Sequence, residues 1–336
     1  MNAPHVPDIG DVEAAAERLR GIAVETPLLR SPELDERVGG TVLLKAENLQ
    51  RTGSFKIRGA YNLMSQLTPE QASHGVVAWS SGNHAQGVAA AGTLLGIRTT
   101  IVMPEDAPRA KIENTRRLGG EPVLYDRYTG DREAIARKIA AERGAELVPS
   151  YEHSDIIAGQ GTVGLEIMDQ ALDYGLVPDQ VLICCGGGGL GSGCAIAIKA
   201  RSAETRVYLV EPEDFDDTRR SFEQGRRVRN EGKARSICDA LQTDMPGQMT
   251  FDINRRLASG VLTVSDDEVR EAIRFAFRYL KLVVEPGGAV ALAAVLAGKV
   301  DTNGKVTAVV LSGGNIDTAL FAAIQSEDGE ERLSPS

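Results

Sequence analysis

Short apolar runs alternate along the chain with longer stretches whose apolar positions recur at helical spacing, the pattern of an α/β fold. Residues 11–21 (DVEAAAERLRG) read as an opening helix stopped at Gly21, Thr26-Pro27-Leu28-Leu29 as an extended entry, residues 41–47 (TVLLKAE) as a strand and residues 54–64 as an amphipathic helix. Residues 76–79 form a short buried strand that opens, through Ser80-Ser81-Gly82-Asn83-His84, into an alanine-rich helix ending at Leu95. Strands at 99–103, 122–125 and 146–148 then alternate with helices at 107–118 and 130–143. The alternation repeats with a helix at 161–174, a strand at 180–184, a small-residue helix to Ala200 and a strand at 206–210. Helical stretches at 216–223, 234–241, 266–280 and 287–296 precede a last strand at 305–311. Two α/β lobes are the natural division. Residues 1–10 and the acidic tail from 326 to 336 read as loose.

The chain's 336 residues, 42% of them hydrophobic, supply a sizeable core and exclude a disordered protein. Glycine, at 36 residues, exceeds its usual share of ~7% and is clustered, which points to ligand-binding loops. The net charge is -10, and no long basic stripe interrupts it, so a nucleic-acid partner is not expected. There is no apolar stretch long enough for a membrane span and no secretory signal at the N-terminus. Four cysteines, with Cys184 and Cys185 adjacent, make neither a disulfide framework nor a spaced metal cluster. The expectation is a cytoplasmic protein with reduced thiols and no membrane association.

Four glycine-marked segments carry candidate chemistry. Gly186, Gly187, Gly188 and Gly189 follow a hydrophobic strand and open a helix. Without Cβ atoms that backbone can aim several N–H groups at a phosphate, although a tight strand–helix turn explains it too. The usual nucleotide P-loop motif is absent. Lys56 sits in the first turn of a helix beside Gly53, where the helix field helps lower its amine pKa and favours Schiff-base chemistry. The alternative is an exposed lysine on an amphipathic helix. Ser80-Ser81-Gly82-Asn83-His84 and Ser312-Gly313-Gly314-Asn315 offer hydroxyls and helix-start N–H groups to a carboxylate or ring substituent, or are simply helix caps.

Taken together, and in this order, these segments resemble a known family. Lys45-Ala46-Glu47 with residues 52–59, Ser81 to His84, Gly159-Gln160-Gly161-Thr162, Gly186 to Leu190, Glu285-Pro286-Gly287-Gly288-Ala289 and Ser312 to Asn315 are similar to fold-type II pyridoxal-phosphate enzymes of the serine/threonine dehydratase and serine racemase group. The resemblance implies two three-layer α/β/α lobes like the tryptophan synthase beta subunit. A large cofactor-binding domain would comprise residues 1–52 and 154–325, and a small one residues 53–153. Lys56 would hold the cofactor and move protons, Phe55 would pack beside the ring, and Asn83 would bond the ring oxygen. The four glycines would hold the phosphate, and Ser312 would face the pyridine nitrogen. Ser81, Gly82, Asn83 and His84 would receive the substrate carboxylate, with Ser81 also serving the face opposite Lys56 in racemase-like members. Glu211, Asp217 and the carbonyl of Phe215 match positions that hold Mg²⁺, Ca²⁺ or Mn²⁺ in this group; spacing alone is a weak sign, since Glu213, Asp214 and Asp216 make the loop acidic anyway, and the alternative is a solvated acidic loop.

The implied reaction is β-elimination from a hydroxy amino acid, foremost L-threonine and also L-serine, to a 2-oxo acid and ammonia. A 3-hydroxyaspartate ammonia-lyase, a serine racemase and a non-catalytic metabolite sensor are the alternatives. The second carboxylate of hydroxyaspartate needs a cation, for which Arg58, Arg127 and Arg235 are candidates without a placement. A homodimer is implied by the resemblance alone. No room remains for a third, regulatory domain, which favours a catabolic or specialised role.

Overall fold

The computed structural model describes residues 5–230 and 235–326. Ten strands among these residues form two sheets. They are β1 (Leu28–Leu29), β2 (Thr41–Lys45), β3 (Val76–Trp79), β4 (Thr99–Pro104), β5 (Gly120–Tyr125), β6 (Glu146–Leu147), β7 (Gln180–Cys184), β8 (Arg206–Pro212), β9 (Gly260–Val264) and β10 (Val306–Val310). The six-stranded sheet runs β1-β2-β10-β7-β8-β9, parallel except for the edge pair β1–β2. The four-stranded sheet runs β5-β4-β3-β6 and is wholly parallel.

The period-two alternation of a strand decides which helix it meets. On the four-stranded sheet, Val76, Ala78, Ile101 and Met103 pack with Ile57, Ala60 and Val88 of the helices Lys56–Met64 and Asn83–Leu95. Val77 and Val102 face the other way, onto Ala136 and Ala140 of the helix Arg132–Arg143. The six-stranded sheet is covered likewise, with Val163 and Ile167 of the helix Ser154–Asp173 and the apolar helix Pro286–Leu296 in its core. Each lobe is therefore a three-layer α/β/α stack, as the sequence pattern and the resemblance lead one to expect.

Several elements differ from the sequence expectation. The segment 234–241 is not a helix: residues 235–241 hold only a single 3-10 turn, Asp239–Leu241, and Ala234 lies outside the described residues. Cys238 and Leu241 are both buried in the core of the six-stranded lobe, which draws that segment in rather than along a helix axis. The helix expected at 161–174 starts earlier, at Ser154, where the His153 side chain caps it by accepting from the Asp155 N–H. The helix at 266–280 ends at Phe275 and continues as a π turn, Ala276–Leu280. The helix Gln248–Leu257, the strand β9, and the short helices Pro32–Val38, Pro69–His74 and Thr318–Ser326 are additional. The expected loose tail from 327 to 336 lies outside the described residues.

A buried ionic cluster ties the two lobes together. Arg58 is 1% exposed and reaches Glu47 at 2.7 and 2.9 Å and Glu166 at 2.5 and 2.8 Å. Lys45 Nζ completes the group with a 2.6 Å contact to Glu166. Two cations thus face two carboxylates, a neutral set with bidentate geometry. Lys56 stands two residues before Arg58 on the same helix, so this clamp also fixes where Lys56 begins.

No helix among the described residues is long and apolar enough to cross a membrane.

Candidate active site

A cleft of about 980 Å³ opens between the lobes. It is lined beyond the carboxyl ends of β3, β6, β7 and β10, where parallel strands hand over to loops and helix N-termini. Lys56, Phe55, Ser81, Gly82, Asn83, His84, the four glycines and Ser312 all line it. Sequence segments more than two hundred residues apart are thereby brought to one site.

Lys56 opens its helix after a left-handed pair, Thr52 (φ 66°) and Gly53 (φ 75°). The bend is held to the Ser312 loop by the Phe55 N–H, which donates to the Ser312 carbonyl at 3.2 Å, and by a bridge between Ser54 and Gly313. The Lys56 amine donates to the Ser150 carbonyl at 3.1 Å and lies 5.1 Å from the centre of the Phe55 ring. Withdrawal from water lowers its pKa to about 8, against weaker upward pulls from Cys184 and Glu285.

The glycine loop turns its backbone along the cleft wall. Gly188 caps the helix Gly189–Arg201 with φ 91°. A Cβ at Gly187 would stand 2.3 Å from the Tyr151 ring. The carbonyls of Gly187 and Gly188 are drawn away by Thr250 Oγ1 (2.7 Å) and Asn254 Nδ2 (3.2 Å) of the helix Gln248–Leu257. With the carbonyls held on that side, the helix-start N–H groups are left to the cleft.

Across the cleft, the helix Asn83–Leu95 starts from Gly82 with no side-chain cap, so its first N–H groups are also open to a ligand. Asn83 accepts from Asn315 Nδ2 at 2.8 Å and donates to Glu285 at 2.5 Å. Burial raises the Glu285 carboxyl to about 7, in spite of the Asn83 hydrogen bond. The His84 ring is buried, 2.8 Å from the Val148 carbonyl, and burial with the nearby Lys56 charge lowers it to about 3. It is a neutral ring at physiological pH and no base. Ser312 accepts from the Cys184 thiol at 3.1 Å.

Glu211, Phe215 and Asp217 do not line this cleft; they cluster at the end of β8. Among the described residues no group of three or more His, Cys, Asp or Glu side chains is arranged to hold a metal. Arg58 is buried in its ionic cluster, and neither Arg127 nor Arg235 lines the cleft. Besides Lys56, the Lys and Arg side chains that do are Lys111, Arg132, Arg137, Arg227 and Arg229. Lys111 pairs with Asp239, Arg137 with Glu133 and Arg229 with Asp244, and Arg227 donates to the Pro246 carbonyl. Arg132 makes no hydrogen bond or ion pair among the described residues.

Tyr151, Thr250, Asn254 and Arg132 were not singled out by sequence. Nothing local marks them, since their roles arise from packing against the glycine loop and the cleft mouth. Glu285 sits in a glycine-rich motif that did stand out, though without a role.

Residues 19–313 match the family profile described as pyridoxal-phosphate dependent enzyme. An L-threo-3-hydroxyaspartate ammonia-lyase from Pseudomonas sp is 46% identical over 314 residues, 94% of this chain and 97% of that protein. The crystal structure of a threonine deaminase from T.th. superimposes with a TM-score of 0.87 at 45% identity, covering 93% of this chain and 99% of that one. Maize serine racemase gives a TM-score of 0.90 at 34% identity, covering 97% and 99%. The glycine loop, the desolvated lysine and the buried Ser312 hydroxyl suit a phosphorylated pyridine aldehyde. Matched over almost its whole length by the profile and by these three enzymes, the chain belongs to the fold-type II pyridoxal-phosphate dependent enzymes, in the threonine/serine dehydratase and serine racemase group.

Proposed function

We propose that this protein is an ammonia-lyase that eliminates water from a small β-hydroxy amino acid, with L-threo-3-hydroxyaspartate as its preferred substrate. The observation that carries the substrate choice is Arg132, a cation at the cleft that has no hydrogen bond or ion pair among the described residues. A second carboxylate gives it a partner, whereas the methyl group of threonine does not. The 46% identity to the Pseudomonas hydroxyaspartate lyase supports the same choice.

Pyridoxal phosphate, when bound, supplies an electron sink for the charge left at Cα. Lys56 holds it, and the amine then serves as the base that takes the Cα proton; a pKa of about 8 keeps a useful fraction neutral. Gly186, Gly187, Gly188 and Gly189 hold the phosphate, Phe55 packs at the ring, and Ser312 meets the ring nitrogen. The N–H groups after Gly82, with Ser81 and Asn83, orient the α-carboxylate. The β-hydroxyl leaves as water, and hydrolysis of the released product gives the 2-oxo acid and ammonia. Residues 53–153 would form the smaller domain, and 1–52 with 154–325 the larger.

L-threonine and L-serine are the second reading, supported by the 45% identity to a threonine deaminase. Ser81, half-buried at the cleft, fits a proton carrier on the face opposite Lys56. On that reading Ser81→Ala removes racemisation and spares elimination.

We also propose a divalent cation, Mg²⁺ or Ca²⁺, at Glu211, Asp217 and the Phe215 carbonyl. Glu211 is fully buried and accepts from the Thr218 and Arg219 N–H groups at 3.1 and 3.0 Å. Asp217 Oδ1 accepts from Asn230 at 2.7 Å, while its Oδ2 is buried with no hydrogen-bond partner among the described residues. Burial pushes both carboxyls up, Asp217 to about 7, and Asp217 adds to the push on Glu211. Arg219 and Arg220 spend their charge on Asp216 instead. Hard, buried oxygen donors of this kind fit such a cation.

The test is a panel of L-serine, L-threonine and the four 3-hydroxyaspartate isomers, with 2-oxo acid, ammonia and residual chirality recorded. Highest kcat/KM for L-threo-3-hydroxyaspartate, lost selectively in Arg132→Met, is expected. A preference for L-threonine that Arg132→Met leaves intact moves the assignment to the second reading.

A further inference from the structure

Cys184 ends β7 on the wall of the cleft, and its thiol lies 3.1 Å from the Ser312 hydroxyl. Both side chains are buried. Burial pushes the thiol up to about 11, so it keeps its proton and donates it. Ser312 Oγ is the acceptor, and its own proton has no protein acceptor among the described residues. The serine cannot swing away as a unit, because its carbonyl accepts from the Phe55 N–H at 3.2 Å. Cys185, next in the chain, points elsewhere, toward Thr218 Oγ1 at 3.5 Å. The thiol at Cys184 is thus matched to Ser312 alone.

We propose that Cys184 is a positioning residue whose thiol commits the Ser312 hydroxyl to donating a hydrogen bond into the cleft, and so selects an unprotonated ring nitrogen on the bound pyridine. The inference rests on the cofactor reading above. A hydroxyl has one proton and two lone pairs. With the thiol on one lone pair, accepting from a protonated ring as well leaves the serine proton buried with no partner. Donating to a neutral ring nitrogen satisfies every group. A neutral ring is a weaker electron sink than a charged one, so more of the proton transfer rests on Lys56.

The experiment uses the holoenzyme loaded with nitrogen-15-labelled pyridoxal phosphate. It compares the parent with Cys184→Ala, Cys184→Val and Cys184→Ser. The ring-nitrogen chemical shift reports protonation directly, and cofactor dissociation is measured in parallel. The parent is expected to show an unprotonated nitrogen across neutral pH. In Cys184→Ala the serine is free to accept, so a protonation step enters that range and cofactor affinity falls about three- to tenfold. Cys184→Val fills the thiol's volume without a donor and should behave as Ala does, which separates loss of the donor from a cavity. Cys184→Ser keeps a donor and should return both readouts toward the parent. Ala and Val variants with the parent's shift and affinity would overturn the role of Cys184 and leave the cofactor reading standing. A parent chain that takes up no pyridoxal phosphate would overturn both.

Discussion

Glu285 accepts a 2.5 Å hydrogen bond from the side-chain amide of Asn83, a contact across the cleft between the helix that follows β3 and the loop that opens the helix Pro286–Leu296. The carboxyl is buried and lies near Lys56, which also feels its charge. A Cβ on Gly313 would come within 2.1 Å of the same carboxyl oxygen, so the backbone there closes directly over it.

This burial fixes the sign of a pH effect. Glu285 holds its proton to about 7 in the folded chain, against 4.5 for an ordinary glutamate. Between those values the native state binds more protons than the unfolded state, so this group's contribution to stability falls as pH rises. Above about 7 the penalty is complete. Glu285→Gln keeps an acceptor for Asn83 but cannot ionise. Its stability relative to the parent should therefore climb from pH 4.5 to about 7 and then level off, with a total gain of about 3 kcal/mol at most. Urea denaturation of the two apoproteins across that window checks it, and an offset independent of pH would count against the buried, protonated carboxyl.

Lys56 should react as an amine of unusually low pKa. The rate at which apoprotein captures pyridoxal phosphate should rise with pH through an inflection near 8 rather than 10.5, followed by stopped-flow absorbance. His84, lowered to about 3, should add no second inflection near neutrality. Lys56→Ala should leave no borohydride-fixed adduct and lower elimination by roughly a thousandfold. An inflection that stays where free lysine has it would show that the amine is solvated.

Features carried by contiguous residues were legible in the sequence. The four glycines, Lys56 after its glycine turn, and Ser81 to His84 each announce themselves by strand, loop and helix order within about ten residues. What holds them in place was not legible. Thr250 and Asn254, which turn the cradle's carbonyls aside, belong to a helix that the pattern did not reveal. Its neighbour β9 is only half-buried along most of its length, so its alternation is faint. The 234–241 segment erred the other way, because Cys238 and Leu241 are apolar for burial beside the cleft and not for a helical stripe. Arg132 is exposed and locally ordinary; only the fold places it at the cleft mouth. Long-range packing, which sequence order does not encode locally, accounts for each of these.

The buried ionic cluster predicts a sharp contrast between two arginines. Removing Arg58 leaves Glu47, which is fully buried, and Glu166 with only Lys45 to balance them. Arg58→Met should destabilise the chain by about 3–5 kcal/mol, because an uncompensated buried charge costs far more than the pair contributes. Arg109 forms an exposed i,i+4 pair with Glu113, and Arg109→Met should change stability by no more than about 0.5 kcal/mol. Chemical denaturation of both variants tests this. Similar small losses at the two sites would mean that Glu47 and Glu166 find other partners once Arg58 is gone.

The cation proposed at Glu211 and Asp217 should reveal itself as stabilisation rather than as chemistry, since neither carboxylate lines the cleft. Both are buried, and Asp217 Oδ2 has no hydrogen-bond partner among the described residues. Mg²⁺ or Ca²⁺ at a hundredfold excess over its dissociation constant should stabilise the fold by about 2.7 kcal/mol, and a chelator should remove that gain. Glu211→Gln and Asp217→Asn neutralise the buried charge that attracts the ion. Each should abolish the cation-dependent rise in Tm while making the metal-free protein no less stable, because burial works against both ionised carboxyls. The cradle stands close enough to respond: Cys185, which precedes the first glycine, touches Thr218, and the Thr218 N–H donates to Glu211. Cofactor affinity should therefore rise with the cation in the parent and not in the two variants. A parent whose Tm ignores both ions would leave the two carboxyls as a protonated pair, held neutral by the burial that surrounds them.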